Sequence, residues 1–248
     1  MRRRWGARRF DSLDTIRGIT LISMILYHAS WDLVYLYGVD WPFYYTRWAY
    51  LWQQSICWTF ILLSGYCFHL GSHRVKRGLM SFGGGLLVSL VTLLAMPDAP
   101  IICGVLTLLG SAMLLTVPLD RFLSRIPAGV GLAGSFVLFI LLRNVNAGFL
   151  GFEGWSLLAL PAWLYRNLLT AFVGFPHDAF YSSDYFSLLP WLFLFWTGYF
   201  LYRIRKPDRG GVALPLVTAM GRRSLLIYLL HQPIIYGLLE GLSLLGVL

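Results

Sequence analysis

His28 and Asp32 stand one helical turn apart in an otherwise apolar run that also holds Asp14 and Arg17. An imidazole with a carboxylate four residues on is suited to general-base work, because the carboxylate can hold one ring nitrogen as a donor and leave the other to take a proton. At 1.5 Å and 100° per residue, His28 lies about 16 Å further along a helix than Arg17 and only about 20° around it. Asp14 and Asp32 are about five whole turns apart, so all four ionisable groups face one way. In a membrane that way is inward, since a charge at the helix centre costs about 2.5–3.5 kcal/mol even on lenient insertion scales. Such groups have two other uses: hydrogen bonds that glue helices together, and, for Asp14 and Arg17, an ion pair in the first turn of the helix.

Further candidates lie downstream. In Tyr228-Leu229-Leu230-His231-Gln232-Pro233, His231 falls about 12 Å into the last apolar segment. Pro233 lacks an N–H and opposes the carbonyl four residues back, which predicts a kink. His231 and Gln232 then either repair the backbone or contact a substrate. His69 is expected to snorkel toward the membrane surface. Asp178, Asp184, Tyr185 and Trp191 combine carboxylates with aromatic faces, a pairing suited to sugars or amines, although Tyr and Trp are also the residues of the membrane belt. Cys57, Cys67 and Cys103 show no metal-ligand or redox spacing and read as small buried hydrophobes.

The elements that must position these residues are read from hydropathy. With 58% hydrophobic residues, 12% charged residues and a mean hydropathy of +0.67, the chain is an integral membrane protein, since soluble domains carry about 25% charge. A helix needs about 20 apolar residues to cross a bilayer, and seven segments approach this: 15–37, 49–70, 79–96, 101–118, 128–142, 186–203 and 224–247. No run alternates as membrane β-strands do. The predicted fold is therefore an all-α, polytopic bundle of about seven transmembrane helices, with residues 1–248 as one transmembrane domain and no room for a soluble one. Residues 143–185 form a long outer loop whose apolar part, Trp155 to Phe175, is expected to be interfacial or re-entrant.

The net charge of +9 does not point to nucleic acid, because the basic residues sort by membrane side. Arg2, Arg3, Arg4, Arg8, Arg9, Arg17, Arg74, Lys76, Arg77, Arg121, Arg125, Arg203, Arg205, Lys206, Arg209, Arg222 and Arg223 all fall on inner segments, which is 17 of the 20 Lys and Arg residues. This is the positive-inside bias of a multi-pass protein of the cell (inner or plasma) membrane, with a cytoplasmic N-terminus and an outer C-terminus. The first segment, too long and too polar at Asp32 for a cleaved signal peptide, is read as a signal anchor.

Asp14-Thr15-Ile16-Arg17-Gly18-Ile19 with His28, Phe60-Ile61-Leu62-Leu63-Ser64-Gly65, Gly104-Val105-Leu106 with Leu109-Gly110, Ser183-Asp184-Tyr185-Phe186 with Leu189-Pro190-Trp191, and Tyr228 to Pro233 occur in this order. Together they resemble the catalytic-domain family of heparan-alpha-glucosaminide N-acetyltransferase, within the wider transmembrane acyltransferases. The resemblance implies acetyl-CoA as acyl donor, no metal, and a sugar-like acceptor whose hydroxyl or amine is reached from the outer side. It puts His28 in the position of the base, with Asp32 beside it, and Arg17 at the cytoplasmic mouth. Asp14, Arg222 and Arg223 join Arg17 as candidate donor-binding residues; His231, Gln232, Asp184, Tyr185 and Trp191 are the candidate acceptor-site residues. The chain departs from the family at Thr107, where many members carry a histidine after the Gly-x-Leu.

Two other functions place the same residues in a bundle. A transporter or proton-coupled channel would use His28, Asp32 and Arg17 along a pathway, and a non-catalytic scaffold would use them as glue. The sequence leaves a homodimer open.

Overall fold

The computed structural model describes residues 10–208 and 210–247. Arg2, Arg3, Arg4, Arg8, Arg9 and Arg209, counted above on the inner side, lie outside the described residues. In chain order the elements are α1 (Asp11–Tyr35), α2 (Arg47–Tyr66), α3 (Arg74–Ala95), α4 (Val105–Leu123), α5 (Ala128–Leu141), β1 (Phe149–Phe152), β2 (Trp155–Ala159), α6 (Leu168–Val173), α7 (Leu188–Ile204), α8 (Pro215–Arg222) and α9 (Ser224–Leu244). Every one of the seven apolar segments forms a helix. Four of these helices are long and apolar enough to cross a membrane: α3, α4, α5 with its short extension to Ala147, and α9. Of the other three, α7 has only 17 residues, while α1 and α2 are long but diluted by polar and aromatic side chains. The chain is thus a mainly helical membrane protein.

It folds as two compact units, one from the described residues of Met1–Phe60 and Pro207–Leu248, the other Ile61–Lys206. In the first unit α1 packs on α8 and α9. The approach of α1 and α8 is close because glycines meet backbone from both sides: a Cβ on Gly18 would strike the Val217 carbonyl, and one on Gly221 would strike the Asp14 carbonyl. Small residues let membrane helices approach to this distance. The contact is fastened by hydroxyls, Thr15 Oγ1 lying 2.7 Å from Thr218 Oγ1 and donating to the Val212 carbonyl at 3.0 Å. Further along, Leu21, Met24 and Ile56 form a buried cluster flanked by Trp52, Tyr27 and Tyr228. Trp52 Nε1 donates to Ser23 Oγ at 2.7 Å. The opposite face of α1 is apolar and open, with Ile16, Ile19 and Leu26 all exposed.

In the second unit α3 packs on α4, and α7 on α5 and α4. Glycines again set the spacing, with Gly65 against the Phe195 carbonyl and Gly198 against the Leu62 carbonyl. Leu194, Phe195, Tyr199 and Phe200 of α7 are buried with Phe68 and Phe139. Asp120 accepts from Tyr199 Oη at 2.6 Å and from Arg74 at 2.7 Å. His69 does not snorkel: its ring stacks on Tyr202 with centroids 5.0 Å apart. The long connection contains an antiparallel β1–β2 hairpin with a bulge at Leu150/Gly151, and then α6, which Asn167 opens with a capping box to Thr170.

Candidate active site

The motif of the first helix meets the motif of the last. Asp32 is fully buried, and both of its carboxylate oxygens accept from Gln232 Nε2 of α9, at 2.7 and 2.9 Å. An amide nitrogen against a carboxylate fixes which way the glutamine points, because its oxygen would be repelled there. Gln232 Oε1 is therefore turned away, and it is buried with no hydrogen-bond partner among the described residues. One turn before Asp32, the His28 ring lies edge-on to the His231 ring, centroids 5.0 Å apart at 62°. His231 is 7% exposed. Its Nδ1 lies 2.5 Å from the Tyr228 carbonyl oxygen, while its Nε2 is buried and unpartnered.

This corrects the expected pairing in one respect. Among the described residues the hydrogen bonds of Asp32 go to Gln232 and not to His28, whose contacts are with the rings of Tyr27 and His231. The reason lies in the partner helix: an amide from α9 reaches both carboxylate oxygens at once. The expected backbone repair at Pro233 is altered too, for the His231 side chain reaches the Tyr228 carbonyl rather than that of Leu229, which faces the proline. The inward direction of the α1 stripe holds, since Asp14, Arg17, His28 and Asp32 are all sheltered while Ile19 and Leu26 are not.

At the start of α1 the candidate donor-binding residues form an ion cluster. Arg17 pairs with Asp14 at 3.0 Å. Arg222, at the end of α8, pairs with Asp11 at 2.6 Å and with Asp14 at 3.5 Å. Gly221 brings Arg222 there by letting α8 lie against the Asp14 carbonyl. Asp11 was missed in the sequence, although its place in the first turn, three residues before Asp14, is a favourable one for an acid at a helix N-terminus. Arg223 is exposed.

The remaining candidates belong to the second unit. Asp184 lies beside Gly104 at the start of α4, and its carboxylate accepts from the Val105 N–H. Burial pushes this carboxyl up to about 6 despite that bond. The segment is laced to the loop before α4: Ile102 N–H donates to Ser182 Oγ at 2.9 Å, and Phe186 N–H to the Cys103 carbonyl at 2.8 Å. Tyr185 Oη donates to the Ala171 carbonyl at 2.5 Å, and burial raises its pKa. Trp191 is not a presented sugar platform. It is 4% exposed, packed on Phe139 and Phe186 with the Arg143 guanidinium 4.9 Å from its ring. Asp178 is exposed. Thr107 is buried, and its hydroxyl has no hydrogen-bond partner among the described residues. No group of three or more His, Cys, Asp or Glu able to hold a metal occurs among the described residues.

Apolar helices enclose a histidine pair and a hydrogen-bonded carboxylate, a buried polar group in a mainly helical membrane protein. The family model for heparan-alpha-glucosaminide N-acetyltransferase, catalytic, matches residues 9–233 of the 248, and the chain belongs to that family. The general chemistry of this class is that of membrane acetyltransferases. No curated protein and no solved structure matches the chain.

Proposed function

We propose that the protein transfers an acetyl group from cytosolic acetyl-CoA to a hydroxyl or amine of a glycan-like acceptor reached from the outer side of the cell membrane. In this reading α1, α2, α3, α4, α5, α7 and α9 all span the bilayer, with the N-terminus in the cytoplasm and the C-terminus outside. The distribution of Lys and Arg supports that topology. The hairpin and α6 then sit at the outer interface, as their exposed Trp155, Leu158, Trp163 and Leu169 suggest.

The observation that carries the reading is the union of the two family motifs in one buried group, His28 against His231 and Asp32 held by Gln232. His28 takes the proton of the acceptor O–H or N–H as that atom attacks the thioester carbonyl. The carbon–sulfur bond breaks, and coenzyme A leaves as its thiol once the proton is returned to sulfur. Arg17, Arg222 and Arg223, with Asp14 positioning the first two, receive the phosphates of the donor at the cytoplasmic end.

The test is a thermal-stability titration of the detergent-purified protein with acetyl-CoA and with free CoA, followed by a transfer assay. Saturable stabilisation that weakens in Arg17→Ala is expected, as is loss of transfer in His28→Ala. If neither ligand shifts the midpoint, the acyl-donor reading fails and a transport pathway through His28 and Asp32 takes its place.

A further inference from the structure

The last-helix motif presents two lone pairs that have no partner among the described residues. A backbone carbonyl can only accept, so the 2.5 Å contact of His231 Nδ1 with the Tyr228 oxygen requires the proton on Nδ1 and leaves Nε2 of the neutral ring as an acceptor. The next residue follows the same logic: both Asp32 oxygens take Gln232 Nε2, which leaves Oε1 as an acceptor. Both atoms are buried and neither has a partner among the described residues. A buried acceptor without a donor costs about 1–3 kcal/mol, and here two occur on successive residues, the first with its ring against that of His28. Neither Nε2 of His231 nor Oε1 of Gln232 can donate to a thioester carbonyl. Both can accept from a hydroxyl or an amine.

From this polarity we infer that His231 Nε2 and Gln232 Oε1 bind the acyl acceptor through its hydrogens, and that they do not bind the acyl donor. The inference rests on the acyltransferase reading and deepens it. The preferred acceptor carries at least three donor hydrogens at or next to the reacting atom, as a primary amine with a neighbouring hydroxyl does. Two are held by His231 and Gln232 while His28 removes the third. Tyr228 acts through His231 by fixing its tautomer, and Asp32 acts through Gln232 by fixing its amide.

The experiment uses the detergent-purified full chain with acetyl-CoA as donor and glucosamine as the amine probe. His231→Asn keeps an N–H for the Tyr228 carbonyl and loses the lone pair at the Nε2 position; His231→Gln restores an amide oxygen near it. The expected result is a KM for glucosamine raised about tenfold or more in His231→Asn, largely recovered in His231→Gln, with the KM for acetyl-CoA unchanged. A raised KM for acetyl-CoA with that for glucosamine unmoved would overturn the inference, as would no change in either. A second readout is independent of turnover. Nitrogen NMR of 15N-histidine-labelled protein, with His231 assigned by its loss in His231→Asn, should show the Nδ1–H tautomer. The Nε2–H tautomer would overturn the inference even if transfer is observed, whereas the Nδ1–H tautomer in a protein that transfers nothing would count against the acyltransferase reading and leave the polarity of the motif standing.

Discussion

The two ends of α1 carry similar residues in opposite states. At the N-terminal end, Asp11, Asp14, Arg17 and Arg222 balance two negative against two positive charges, and all are within reach of solvent, with side chains 13–37% exposed. Toward the other end, Asp32 is fully buried and satisfied by an uncharged amide, and two acceptor atoms beside it have no donor. The first arrangement is complete, as a structural ion cluster is. The second is incomplete, and a buried polar group left unsatisfied is where a fold gives up stability for a task. Charge alone therefore does not mark the site on this helix; unmet hydrogen-bonding capacity does.

Mutations should separate the two ends. The largest effect is expected from His28→Ala, which should lower acetyl transfer at least about 100-fold while the unfolding midpoint stays close to the parent. A variant that transfers at the parental rate would remove the base from this end of the helix. Gln232→Leu strands the Asp32 carboxylate and should cost about 2–3 kcal/mol of stability, measured by reversible denaturation in detergent. Opening the other end by Arg222→Ala should cost only about 1 kcal/mol. If the two losses are equal, the contrast between the ends is false.

A carboxylate of the second unit gives a separate test by pH. The Asp184 carboxyl is raised in the fold from 3.8 to about 6 by burial, so the native state binds more protons than the unfolded chain between these values. Its contribution to stability is full below about pH 4 and is lost as pH rises through 6, at most about 3 kcal/mol in all. Asp184→Asn, which keeps an oxygen for the Val105 N–H, should flatten that slope and leave the variant more stable than the parent at pH 7. The smallest effect is expected from Arg223→Ala. This exposed residue should leave the midpoint unchanged and raise the KM for acetyl-CoA a few-fold, more at low salt than at high. An unchanged KM would remove Arg223 from the donor-binding residues.

Much of this was legible along the chain. The seven apolar segments all became helices, and the stripe of Asp14, Arg17, His28 and Asp32 faces inward as its periodicity requires. Other features were not legible. Asp32 and His28 satisfy the spacing for a pair, yet Asp32 bonds to a residue 200 positions away. Trp191 reads as a belt or sugar-facing aromatic and lies instead in a core. The connection before α7, predicted as interfacial or re-entrant, holds a hairpin whose strands of 4 and 5 residues, interrupted by a bulge, are too short to give a β period.

By itself the sequence determined that this is a helical membrane protein, which residues of α1 share a face, and which family it belongs to. Hydropathy and helical angle are properties of neighbours along the chain, and the motifs are local strings. Only the tertiary structure decided the partners. His231 and Gln232 are adjacent in sequence but 100° apart around α9, so the packing of α9 on α1 determines which one meets the carboxylate and which one meets His28. The same packing leaves two acceptor atoms without a donor among the described residues, and those atoms carry the inference about the acceptor.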